Sequence, residues 1–124
     1  MTKEDLKQIL IDHKKWLNNE EGGKRAVLRG EDLSFVNLIN VDLRLADLRS
    51  ICFYNAKLEN CNFSYAKLKN ANFRFANITY SNFENSDLTN AKFEGATMKR
   101  SNVRHSNIKK TNIRSLNFIQ LIYD

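Results

Sequence analysis

Large apolar residues recur at every fifth position through most of the chain. From Leu28 the centres read Leu28, Leu33, Leu38, Leu43, Leu48, Phe53, Leu58, Phe63, Leu68, Phe73, Ile78, Phe83, Leu88, Phe93, Met98, Val103, Ile108, Ile113 and Phe118, nineteen positions without a polar residue. Five is not the 3.6 period of a helix, and an odd number is not strand alternation. Two residues before the centre the chain is mostly small, as at Ala26, Ala46, Ala56, Cys61, Ala66, Ala71 and Ala76. One residue before it, thirteen of the nineteen positions are Asn or Asp. Residues two apart on extended backbone point the same way, so the small residue and the centre face a shared interior. Each quintet must then turn a corner. The intervening Asn or Asp can hold that bend by bonding nearby backbone. Coils stacked at about 4.8 Å would pair their backbone groups with the coils above and below.

The size of the coil is readable too. From Leu48 to Phe93 the centres alternate between aliphatic residues and Phe. A ten-residue sub-period fits a twenty-residue coil of four quintets and not a fifteen-residue coil of three. With four sides, Phe53, Phe73 and Phe93 stack on one side and Phe63 and Phe83 on the opposite one, with aliphatic ladders between. Glu31, Ile51 and Leu116 are exceptions at inward small positions, and Val36 and Val41 are larger than the norm. Cys61 takes an inward position and Cys52 an outward one, which argues against a disulfide between them.

The units "AKLKN", "ANFRF", "SDLTN" and "AKFEG" resemble the pentapeptide-repeat family, whose unit reads A-(D/N)-L-x-x. The resemblance covers residues 26–120. It implies an all-β solenoid: a right-handed, four-sided parallel β-helix of about five coils.

The two ends read differently. Residues 1–25 predict a capping α-helix and a turn, which a stacked solenoid needs over its open end. Thr2 and Asp5 suit a capping box. Leu6, Ile9, Leu10, His13, Trp16 and Leu17 share one helical face, and Gly22-Gly23 ends the segment. Trp16 is expected as the lid on the first coil, with His13 as a cap residue beside it. Residues 116–124 are apolar. Phe118, Ile119, Leu121, Ile122 and Tyr123 cannot all enter one core, which predicts a twofold homodimer through this end.

Composition adds less. The 124 residues suit one domain. There is no proline and there are four glycines, so turns must be made by another residue, and asparagine tolerates the dihedrals required. No apolar h-region opens the chain, and no apolar run nears the ~20 residues of a membrane helix. Two cysteines outside any metal-ligand spacing suit free thiols in a cytoplasmic setting. No catalytic constellation, cofactor loop or metal motif is recognisable, so the reading is of a non-enzyme without a cofactor. Asp32, Asp42, Asp47 and Asp87 occupy turn-forming positions.

What remains is surface, on a chain of net charge +6. Outward residues twenty apart form ladders. Arg29, Arg49, Lys69 and Lys109 lie in one of them; Phe35 and Phe75 lie in another, with Tyr54 near. Lys99, Arg100, Arg104, Lys109, Lys110 and Arg114 make residues 99–114 basic without an acid. The leading expectation is a binding scaffold for a protein partner. The alternative is nucleic-acid binding by the basic last coils, since cations beside aromatics suit a single strand. The resemblance also implies topoisomerase modulation, known in the family as protection or inhibition of gyrase through mimicry of acidic DNA. The basic charge here departs from that mimicry.

Overall fold

The computed structural model describes residues 1–113. Among these residues one α-helix, α1 (Lys3–Leu17), is followed by twenty-residue coils. Thirteen parallel bridges, from Val27↔Asp47 to Asp87↔Asn107, each join a residue to the one twenty positions later. Residues 26–105 therefore make four full coils, and the described part of a fifth begins at Ser106. Each side offers only one bridging residue between turns, so the ladders consist of single bridges rather than continuous strands.

Every quintet ends in the same turn. The N–H of Glu31 donates to the Leu28 carbonyl, and Ile51 N–H to Leu48 in the coil below. The third residue of the turn has positive φ, as at Asn55 (55°), Asn70 (64°) and Asn90 (60°), the left-handed conformation that Asn and Gly accept best.

The hydrogen bonds explain why the repeat needs Asn or Asp. In the quintet 46–50, Ala46 N–H closes the preceding turn on Leu43, and Asp47 N–H donates to Ala26 in the coil above. Leu48 and Ser50 N–H donate to Lys67 and Lys69 in the coil below. Only the N–H of the residue after the centre lacks a backbone acceptor. The side chain two residues earlier takes it: Ser64 N–H donates to Asn62 at 3.0 Å, Arg74 to Asn72 at 3.0 Å, Glu84 to Asn82 at 2.9 Å. Buried backbone donors must be paired, and the short polar side chain satisfies the one the coil leaves over.

The centres and small residues fill the shaft. All described centres from Leu28 to Val103 are buried, and Phe53, Phe63, Phe73, Phe83 and Phe93 are wholly so. Phe73 stacks on Phe93 at 5.1 Å and 3°, and Phe63 on Phe83 at 4.9 Å and 8°. The two stacks also meet edge to face across the shaft, as Phe73 and Phe83 do at 5.6 Å and 90°. The exceptional Ile51 is fully buried, whereas Glu31 is half-buried beneath α1. Cys61 is buried and donates to the Leu38 carbonyl; Cys52 is half-exposed, and both thiols are free.

The cap departs from expectation in one respect. The Thr2–Asp5 capping box is formed, with both bonds at 3.0 Å. Leu6, Ile9 and Leu10 pack on the core. Trp16 is not the lid: it is exposed and stacks on the outer side of the His13 ring at 5.6 Å. His13 is the buried residue. Its Nδ1 accepts from Ala26 N–H at 2.9 Å, and its Nε2 lies 2.9 Å from the Arg44 carbonyl, which it can meet only as donor. Inside the solenoid, a preceding turn supplies the first acceptor, and a residue of the coil above supplies the second donor. His13 stands in for that missing quintet with one ring.

Candidate functional site

The outward side chains are concentrated at four corners, one after each side. The first corner follows Leu28, Leu48 and Leu68, and carries Arg29, Arg49 and Lys69 beside Gly30, Ser50 and Asn70, which together line a shallow depression. This basic ladder is less free than the sequence suggests. Arg29 Nε lies 2.5 Å from Asp47, and Arg49 reaches the same carboxylate at 2.7 Å. Asp47 is fully buried beneath the two guanidinium groups. Its bond to Arg49 outweighs the cost of burial, and with Arg29 it holds the carboxyl far below its ordinary pKa. Lys69 is exposed and forms no ion pair with a described residue.

The last basic residues are spread around the shaft. Lys99 and Arg100 lie at the third corner, Arg104 at the fourth, and Lys109 and Lys110 at the first, all exposed. They form a positive collar rather than one strip. Arg114 and the apolar residues Phe118, Ile119, Leu121, Ile122 and Tyr123 lie outside the described residues.

The second corner is different in kind. It follows Leu33, Phe53, Phe73 and Phe93, and its turns carry Ser34-Phe35, Tyr54-Asn55, Arg74-Phe75 and Glu94-Gly95. Phe35 is 71% exposed and Phe75 54%. Tyr54, half-buried, joins them edge to face, 5.8 Å from Phe35 and 5.7 Å from Phe75. Both Phe residues adopt positive φ, 63° and 59°, a conformation that costs a side chain bearing Cβ about 1 kcal/mol or more. Beneath Phe75 lies Gly95, where an added Cβ would fall 2.4 Å from the ring. The ring therefore occupies the space that a Cβ at position 95 would need. Gly95 was missed in the sequence; the available signal was its place twenty residues after Phe75. The one cation of these turns, Arg74, is engaged by Glu94 at 3.0 Å.

Among the described residues, no cluster of three His, Cys, Asp or Glu side chains could hold a metal ion. Burial pushes the Cys61 thiol up to about 11, which keeps it protonated. No helix among the described residues is long and apolar enough to cross a membrane.

The profile of pentapeptide repeats matches in 8 copies, over residues 26–64, 56–95, 66–104 and 86–120. The chain belongs to the pentapeptide-repeat family. Among solved structures it is similar to HetL, a pentapeptide repeat protein involved in heterocyst differentiation regulation from the cyanobacterium Nostoc. The identity is 27% and the TM-score 0.68, over 71% of this chain and 43% of HetL. A pentapeptide repeat protein of the Arabidopsis thaliana thylakoid lumen is 34% identical over 73% of this chain and 63% of its own, with a TM-score of 0.46. The plasmid-mediated fluoroquinolone resistance protein QnrB1 matches at 18% identity and a TM-score of 0.37, over 82% of this chain and 67% of its own. This chain thus spans less than two thirds of HetL and of the thylakoid protein. No curated protein sequence matches it.

Proposed function

We propose that this pentapeptide-repeat protein is a non-catalytic scaffold, a right-handed four-sided β-helix that binds a protein partner through the second corner. The carrying observation is the Phe35–Tyr54–Phe75 ladder. Its two Phe residues are exposed, at turn positions where Asn would be easier to accommodate. Large apolar rings left exposed at strained turn positions cost solubility, and contact with a partner is a physical reason to have them. The involvement of HetL in the regulation of heterocyst differentiation is in keeping with a role exerted through partners. The test is capture from a lysate of the source cell on immobilised wild type and on the Phe35→Ser/Phe75→Ser variant. The variant should lose captured protein; identical profiles would defeat the reading.

A second reading has its own observation. Lys99, Arg100, Arg104, Lys109 and Lys110 are exposed, and none forms an ion pair with a described residue. Such a collar suits a nucleic acid, and its binding would weaken steeply as salt rises. If a labelled single strand does not bind at ~50 mM salt, this reading fails. Modulation of a topoisomerase would have to act through one of these surfaces, and a supercoiling assay unchanged by micromolar protein would remove it.

A further inference from the structure

We infer that the second corner docks a proline-rich segment of its partner, in polyproline II conformation, running along the solenoid axis. The inference rests on the protein-binding reading above and names the chemistry of the partner. Three observations support it. The first is area. Rings of roughly 200 Å² that are 71% and 54% exposed offer roughly 250 Å² between them. A stable contact between folded proteins covers about 800 Å² on each side. The strip by itself is too small for a second copy or a folded domain, and large enough for two or three residues of a peptide.

The second is spacing. Phe35 and Phe75 are two coils apart, with their coils bridged in register, which is about 9.6 Å at the strand spacing of ~4.8 Å. A polyproline II helix rises about 3.1 Å per residue with three residues per turn, so its side chains repeat about every 9.3 Å. Prolines three residues apart would meet the two Phe rings in turn. Tyr54 lies between them, and its hydroxyl bonds no described residue. Carbonyls of polyproline II have no internal donor, so a tyrosine O–H within the strip is the complement they need. Such a peptide is preformed in solution and loses little entropy on docking against aromatics.

The third is charge. Arg74 and Glu94 neutralise one another at 3.0 Å, and the other turn residues of this corner among the described residues are uncharged. A phosphate backbone would find no free cation among the described residues of these turns, whereas proline-rich peptide needs none. The exposed cations of the collar lie at the other three corners.

Fluorescence anisotropy of a labelled twelve-residue peptide with proline at every third position decides the matter. Wild type should bind it, and a scrambled peptide that loses the three-residue period should bind at least about tenfold more weakly. Phe75→Ser should weaken binding about tenfold or more, as loss of an aromatic anchor does. Gly95→Ala, which retains every ring but lifts Phe75 from its seat, should weaken it several-fold; thermal melts would establish that both variants are folded. No binding at millimolar protein, equal binding to Phe75→Ser, or preferential ring-dependent binding of an oligothymidylate would overturn the inference. If the peptide fails while lysate capture still depends on Phe35 and Phe75, only the polyproline assignment falls. If both fail, the corner is not a protein site.

Discussion

At the scale of single residues, each quintet position answers one need. The centre fills the shaft, the small residue lets the wall turn, and Asn or Asp pairs the amide left over. Phe73 is the most connected of the centres, since it stacks on Phe53 and Phe93 and meets Phe63 and Phe83 by edge. Phe73→Ala should therefore cost about 3 kcal/mol or more in a urea titration; a loss below ~1 kcal/mol would contradict the packing. Asp47 makes the corresponding polar prediction. Its folded pKa is depressed by Arg49 and Arg29, so the unfolded chain takes up a proton first as pH falls. The stabilisation is complete above the unfolded carboxylate value near 4 and is lost progressively below it. Asp47→Asn should lower stability at neutral pH and flatten the fall of melting temperature between about pH 4 and 2. A parallel fall in both proteins would show that the clamp does not titrate as described.

At the scale of elements, α1 is joined to the solenoid by chemistry that hydrophobic periodicity does not show. Leu6, Ile9 and Leu10 cover the first coil, but His13 makes the connection, since it takes the hydrogen bonds of a quintet that is not there. Protonation of Nδ1 would place a donor against the Ala26 N–H. Burial opposes protonation first, and Arg44 and Arg25 also oppose it, while the Arg44 carbonyl and Asp42 favour it; the net effect lowers the pKa of His13. A ring whose folded pKa lies below the unfolded value near 6.5 stabilises the cap fully above that value. The contribution is lost as pH falls toward the folded value. Trp16, the single tryptophan, stacks on this ring and reports on it directly. Its fluorescence should change as pH falls below about 6.5, and His13→Phe should abolish that step. An identical step in the variant would mean the signal arises elsewhere.

At the scale of the whole molecule, the coils form a shaft whose four corners carry different chemistry: a clamped arginine ladder, an aromatic strip and, toward the last coils, a collar of exposed cations. The apolar residues 116–124 lead to one further expectation here. We propose that Phe118, Ile119, Leu121, Ile122 and Tyr123 join two copies, so that truncation after Arg114 halves the mass seen by light scattering. An unchanged mass would remove the dimer. Much of this shaft was legible in the chain. The register placed the Phe stacks, the turns and the direction of both cysteines correctly, because a fixed five-residue backbone unit decides where each side chain points. Less of the candidate site was legible. Phe35, Tyr54 and Phe75 could be placed near one another by counting twenties, but the seat of Phe75 over Gly95 and the engagement of Arg74 by Glu94 could not. Nor could the exclusion of Trp16 and the burial of His13. A helical face wide enough for six residues does not reveal which of them meets the coil.

The amino-acid sequence by itself determined the period, the four-sided coil and the inside and outside of each quintet, since all three follow from local backbone geometry repeated without interruption. Only the tertiary structure decided which outward groups are free. Asp47 draws two arginines from different coils onto one carboxylate, Tyr54 bridges two Phe residues from coils on either side, and His13 substitutes for an absent turn. Each depends on atoms distant in the chain and close in space, where distances of a few ångströms decide between an engaged charge and an available one.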